Sequence, residues 1–121
     1  MTQIDPPFLI GVDGGGTGCR AAVATPDGRI LAEGKGGRAN FSTDCATAID
    51  SVLTATRNAI ESAGLDVADM PRAVAHLGLA GYTGPEMGPR VQAGLPFAKS
   101  VVTEDTTTTI VGAVGEHFFF F

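Results

Sequence analysis

The sequence predicts an α/β domain built on a five-stranded mixed sheet, three strands antiparallel and two parallel, with flanking helices. Three observations lead there. Three short apolar or alternating runs near the N-terminus are separated by tight turn signals. One long stretch of helical periodicity follows them. Two more short apolar runs come after it, the first ending in a glycine-rich turn and the second in a pair of acids.

The elements follow in order. Residues 1–7 read as a disordered lead-in, and Phe8 to Val12 as a buried strand. Cys19 to Thr25 alternates as a second strand. Thr25-Pro-Asp-Gly28 supplies turn chemistry, because proline presets φ and glycine accepts the left-handed position. Ile30 to Lys35 returns as a third strand, and three strands joined so tightly form an antiparallel meander. Gly36 to Phe41 is a loop. Ser42 or Thr43 then caps a helix, with Asp44 in its first turn to complement the dipole. The helix carries an apolar stripe of Ala46, Ile49, Val52, Leu53, Ala59, Ile60 and Ala63, and Gly64 ends it. Ala73 to Leu79 is a fourth strand, parallel to the first by a right-handed crossover. Pro85 to Ala93 reads as a short helix and Ser100 to Thr103 as a fifth strand. Thr106 to Val114 is rich in β-formers, yet it follows a strand and an acidic turn and is read as the start of a helix. This order describes the ribonuclease-H-like fold.

The chemistry concentrates in Phe8-Leu-Ile-Gly-Val-Asp-Gly-Gly-Gly-Thr-Gly-Cys-Arg20. Asp13 falls at the end of the first strand. The glycines after it let a backbone approach a ligand, and their N–H groups form a concavity suited to phosphate oxygens. Thr17 adds a hydroxyl, and Asp13 suits a hydrated Mg²⁺, which favours carboxylate and phosphate oxygens. Other readings compete. Gly16-Thr-Gly-Cys-Arg-Ala21 fits the dinucleotide fingerprint, but that fingerprint must open a helix and the turn at Thr25 leaves no room. Gly11 to Thr17 mimics a P-loop without its lysine. A plain hairpin turn needs fewer glycines and no acid. Asp105 follows the fifth strand and can share a cleft with Asp13, since ligands of such sheets sit at the carboxyl ends of strands.

The totals narrow the partners. The chain has 121 residues, 8 basic and 13 acidic, for a net charge of −5. The basic residues do not cluster, which argues against a nucleic-acid surface. Cys19 and Cys45 have neither zinc nor C-x-x-C spacing and read as ordinary thiols. No signal peptide and no membrane-length apolar run is present, so a cytoplasmic protein is expected. His76 lies in an apolar strand and reads as a core histidine. Tyr82 and Thr83 lie on a candidate site loop or a surface turn. Arg20 suits a partner acid on the sheet face, and Lys35 and Arg38 read as solvated.

The chain resembles a known family. Ile10-Gly-Val-Asp-Gly-Gly-Gly-Thr-Gly-Cys-Arg20, Gly37-Arg-Ala-Asn40, Leu77-Gly-Leu-Ala-Gly81, Leu95-Pro-Phe-Ala98 and Thr103-Glu-Asp105 look like the actin-like ATPase and sugar-kinase superfamily. Within it, they look like the BadF-type ATPase and N-acetylglucosamine kinase group, nearest the bacterial glucosamine kinases. The resemblance implies ATP and Mg²⁺ as cofactors. It implies that Asp13 positions Mg²⁺ through water, that Gly14, Gly15, Gly16 and Thr17 contact the ATP phosphates, and that Asn40 bonds sugar hydroxyls. Asp105 would take the proton of the sugar 6-hydroxyl as it attacks the γ-phosphoryl group. Two plainer roles stand beside these: Asp105 as a helix cap and Asn40 as a turn residue.

The resemblance covers residues 8–116, as the N-terminal domain of such a kinase. The second phosphate loop, adenosine site and second domain of the family are not in this sequence, so a chain of this length is expected to be inactive alone. The tail at 117–121 is foreign to the pattern and reads as a truncation or frameshift scar, or as a patch for self-association into a homodimer. Three competitors remain: a BadF-type activator of a partner enzyme, which would want cluster-binding cysteines; a two-metal nuclease, which would want clustered carboxylates and a basic surface; and a non-catalytic domain.

Overall fold

The computed structural model describes residues 6–15, 18–39, 44–79, 91, 93–103, 110–114 and 117–120. A five-stranded sheet forms in the order β3-β2-β1-β4-β5, from β1 (Leu9–Gly14), β2 (Cys19–Ala24), β3 (Ile30–Gly36), β4 (Val74–Leu79) and β5 (Lys99–Thr103). β1 pairs antiparallel with β2, and β2 with β3. β1 pairs parallel with β4, and β4 with β5. This is the mixed sheet expected from the sequence. β1 runs two residues beyond its expected end, because as the central strand it is paired on both sides as far as Gly14. The β2–β3 turn closes as read, with the Gly28 N–H donating to the Thr25 carbonyl (2.8 Å) and Gly28 at φ 96°.

Helix α1 (Cys45–Ser62) lies on one face of the sheet. Its cap is Asp44, not Ser42 or Thr43, which lie outside the described residues. Asp44 accepts from the Thr47 N–H (3.0 Å) with one carboxylate oxygen and from the Thr47 hydroxyl (2.7 Å) with the other. A hydroxyl cap has no second oxygen to offer. At the other end Gly64, at φ 74°, closes a Schellman motif: its N–H donates to Glu61, and the Leu65 N–H donates to Ile60.

The buried face of α1 is rotated from the expected stripe. Ala48, Ser51, Val52, Ala55, Thr56, Ala59 and Ile60 are buried, Ile49, Leu53 and Ala63 pack at the margin, and Ala46 is exposed. The cause is the close approach of α1 to β3. A Cβ at Gly34 would collide with backbone atoms of Ala55 and Ala59, and one at Gly36 with the Ser51 carbonyl. Small residues therefore face the glycines, and the Asn58 side-chain amide donates to the Lys35 carbonyl (2.9 Å) across the junction. The core on this face joins Ile10, Val12, Ala21, Val23, Leu77 and Leu79 to α1.

A 3-10 helix (Val67–Arg72), capped by Asp66, leads into β4; the sequence reading had no element there. The expected helix over 85–93 falls mostly outside the described residues, although Val91, Ala93 and Gly94 are helical. The expected helix over Thr106–Val114 is corrected. Ile110–Val114 is a strand, β6, which pairs antiparallel with β7 (His117–Phe120) in a separate two-stranded sheet. β-branched and aromatic residues favour the extended chain, and here that preference prevails over the position after an acidic turn.

Candidate functional site

The site is built on the transverse row that crosses the sheet at Asp13. By register, Lys35 pairs with Arg20, Arg20 with Asp13, Asp13 with Gly78, and Gly78 with Thr103. Residues directly opposite in a sheet share a face, and alternation puts this row opposite the α1 face, because Val12 and Gly14 belong to the other. Arg20 and Lys35 are exposed and Asp13 is half-buried. Gly78, beside Asp13 on β4, contributes no side chain to crowd the carboxylate. Two strand spacings of about 4.8 Å each separate the β1 and β5 positions of the row. Both strands run in the same direction, so Asp13 and Thr103 lie at the same, carboxyl-terminal edge.

The loop after β1 is folded back by its own backbone. The Gly15 N–H donates to the Gly18 carbonyl (2.9 Å), and the Gly15 carbonyl accepts from the Ala39 N–H (2.8 Å). The first bond joins the two ends of the loop. The second fastens to it the segment that enters α1. A Cβ at Gly15 would meet no heavy atom within 4 Å, so that position opens onto free space. Gly14 is different. It is buried in the strand, where a Cβ would stand 3.1 Å from both the Ala39 Cβ and the Leu79 Cδ2, so its lack of a side chain serves packing. Cys19 faces the core beside Asp13. Burial, reinforced by the negative charge of Asp13, pushes its thiol up to about 12, which keeps it protonated and makes it a poor metal ligand. Cys45 is a free, half-buried thiol.

The structure thus gathers Asp13, Gly14 and Gly15 of the residues singled out in the sequence. Gly16, Thr17, Asn40 and Asp105 lie outside the described residues; Asn40 follows Ala39 directly in the chain, and Asp105 follows the end of β5 by two residues. Sequence reasoning treated Gly78 only as part of a motif, left Lys35 to solvent and gave Ala39 no role of its own. Alternation along β2 and β3 could have placed Arg20 and Lys35 on the Asp13 face. The part of Ala39 had no local signal, because it depends on a backbone bond between segments 24 residues apart.

A single carboxylate next to an open glycine turn is a donor set that suits Mg²⁺, which is commonly held by one or two carboxylates together with substrate phosphates. Among the described residues no cluster of three or more His, Cys, Asp or Glu could enclose a metal by itself, and no helix is long and apolar enough to cross a membrane.

Known proteins are similar to this chain in sequence and fold. The chain is 35% identical over 107 residues to glucosamine kinase GspK of Vibrio cholerae serotype O1, across 88% of this chain and 36% of that protein. It superposes with a TM-score of 0.74 and 33% identity on the crystal structure of a candidate N-acetylglucosamine kinase from Chromobacterium violaceum, across 81% of this chain and 35% of that one. The five-stranded domain is thus of the actin-like ATPase fold, and it spans about a third of the length of these relatives. The sequence pattern of the BadF/BadG/BcrA/BcrD ATPase family matches residues 10–115. With that match running from the strand that carries Asp13 to just past β6, the chain belongs to the BadF/BadG/BcrA/BcrD ATPase family.

Proposed function

We propose that the protein carrying this chain is an ATP-dependent amino-sugar kinase that transfers the γ-phosphoryl group to the 6-hydroxyl of glucosamine or N-acetylglucosamine. The observation that carries this reading is the register of Asp13 with Gly78 and Thr103 at one sheet edge, next to a glycine turn with an open flank. The relatives named glucosamine kinase and N-acetylglucosamine kinase support the substrate class.

In this reading the Gly15–Thr17 turn receives the ATP phosphates, while Gly14 serves packing. Asp13 orients the hydration shell of a Mg²⁺ ion, which supplies charge neutralisation to the phosphates when bound. Asn40 holds the sugar hydroxyls. Asp105 accepts the proton of the 6-hydroxyl as its oxygen bonds to the γ-phosphorus; the bond to the β,γ-bridging oxygen breaks and ADP departs. Such transfer relies on positioning and electrostatics, with a carboxylate to orient the nucleophile. Arg20 and Lys35 place positive charge on the same face as Asp13 and favour phosphate approach. The activator reading gains nothing from the cysteines, since Cys19 points into the core as a neutral thiol.

The test is a phosphoryl-transfer assay on the full-length protein with glucosamine, N-acetylglucosamine and glucose, repeated with Asp105→Asn. Transfer to an amino sugar, lowered by about 10²-fold or more in the variant, supports the reading. ATP hydrolysis indifferent to every sugar would refute it.

A further inference from the structure

The chain carries a net charge of −5, so its mean field repels the polyanion that the proposed kinase must bind. One corner of the fold is different. Lys35 and Arg20 stand in the Asp13 row, on the face opposite α1. Arg38 directly precedes Ala39, whose N–H donates to the Gly15 carbonyl (2.8 Å). β3 runs parallel to β1, since each is antiparallel to β2, so its carboxyl-terminal end lies at the edge where the flank of Gly15 is open. All three cations are exposed, and among the described residues none of them joins an ion pair. The cations elsewhere are placed differently. Arg72 pairs with Asp69 (3.5 Å) and Arg29 acts on the Asp27 carboxylate, while Arg57 stands on α1 and Lys99 opens β5 at the far edge. No run of basic sequence announces the group; the β2–β3 register assembles it.

We propose that Lys35 and Arg38, extending the charge of Arg20 outward, steer a nucleoside triphosphate to the open flank of Gly15 and set the rate at which it associates. This rests on the kinase reading above and deepens it: the two residues select the ligand by its charge before any contact forms. Charges of one sign along the approach to a site raise the local concentration of the opposite ion and speed its capture by about 10–10³-fold. Two strand spacings separate the Lys35 and Asp13 positions, about 10 Å in all. That is about one Debye length at 0.1 M salt, well inside the length of about 30 Å at 0.01 M, and about three lengths at 1 M. The field of Lys35 therefore reaches the site in dilute salt and is screened from it in concentrated salt. Glu33 lies on the same face, two residues before Lys35 on β3, and opposes that field. It stands outside the proposed site and so offers a test of sign.

The experiment mixes the full-length protein with a fluorescent, Mg-bound, non-hydrolysable ATP analogue in a stopped-flow instrument, at about 0.01 M and about 1 M salt. It reads the association and dissociation rate constants. The native association rate constant is expected to be larger in dilute salt, by about 10-fold or more. Lys35→Gln combined with Arg38→Gln should lower it by about 10-fold in dilute salt, keep the dissociation rate constant within about twofold, and match the native protein in concentrated salt. Glu33→Gln should act in the opposite sense and raise the association rate constant by about twofold in dilute salt. A loss confined to dissociation, or one that persists in concentrated salt, marks ligand contact or structural damage and overturns the proposal. So does a double variant that associates as fast as the native protein, or a Glu33→Gln variant that associates no faster. A native protein that binds nucleotide at a rate indifferent to salt overturns the proposal and leaves the kinase reading standing. If nucleotide does not bind the native protein at all, the kinase reading itself has failed, and this inference with it. Should the double variant not fold, Lys35→Gln alone carries the loss and Glu33→Gln the gain, and both signs are required.

Discussion

Asp44 holds the start of α1 through both carboxylate oxygens, and the Thr47 backbone N–H, then the Thr47 hydroxyl, keep its carboxyl below its ordinary value. Because the folded-state value is the depressed one, the stabilisation is complete above the unfolded value of about 4 and is lost as the pH falls through the folded value. Asp44→Asn, which keeps one acceptor, should therefore match the wild type in thermal melts near neutrality and lose less stability below about pH 4. Asp44→Ala should melt a few degrees lower already at pH 7. A wild-type acid limb identical to that of Asp44→Asn would refute the cap's ionic character. Asp13 poses a different question at the same scale. Its half-buried carboxylate sits between exposed Arg20 and side-chain-free Gly78. Asp13→Asn should leave the fold intact and reduce Mg-dependent nucleotide affinity or turnover by about 10–100-fold, as for other groups that orient a metal's hydration shell. Parallel calorimetric titrations with and without Mg²⁺ check it: the variant's deficit should vanish without the metal.

The glycines sort themselves by element. At Gly34 and Gly36 an added methyl would meet the α1 backbone, which cannot step aside without lifting the helix from β3. Gly34→Ala and Gly36→Ala should each destabilise by about 3 kcal/mol or more, at the upper end of the range for overpacking. At Gly15 an added methyl meets nothing. Gly15→Ala should leave stability within about 0.5 kcal/mol and act on nucleotide affinity alone. Urea denaturation of the three variants beside nucleotide titration separates packing glycines from ligand-facing ones. This division also marks what the sequence could tell. The run at 14–16 looked like one phosphate-binding unit, because glycine reads the same whether it yields space to a ligand or to a neighbouring helix. The strands were legible because alternation and turn residues are local signals, and the end of α1 was legible because Gly64 fills a position that demands positive φ. The start of α1 was misplaced by one or two residues, because Ser42 and Thr43 are cap-forming types and Asp44, the actual cap, also suits the first turn. The β6 strand was taken for a helix because a pattern earlier in the chain outweighed its own β-forming composition.

At the scale of the molecule, the order β3-β2-β1-β4-β5 explains why the ends of β1 and β5, far apart in sequence, lie at one edge. The crossover through α1 returns β4 parallel to β1, and the next crossover returns β5 parallel to β4, so successive strand ends arrive at one edge. That was readable from element order alone. The backbone bond that ties Ala39 to Gly15 was not, because a contact between distant segments leaves no local motif. The chain spans about a third of the length of its matched relatives, and two-lobed enzymes exclude water and finish their catalytic geometry on closure. The 121-residue chain by itself should accordingly retain a measurable affinity for Mg-nucleotide, since Asp13 and the glycine turn are held within it. It should turn over amino sugar at least about 10³-fold more slowly than the full-length protein, since orientation of the two reactants can be worth that much or more. Assaying both proteins under identical conditions gives the ratio directly. A fragment with near-native turnover would mean that this one sheet edge holds the entire reaction, and the account of Asp13, the glycine turn and Asp105 as one wall of a closing cleft would then be wrong.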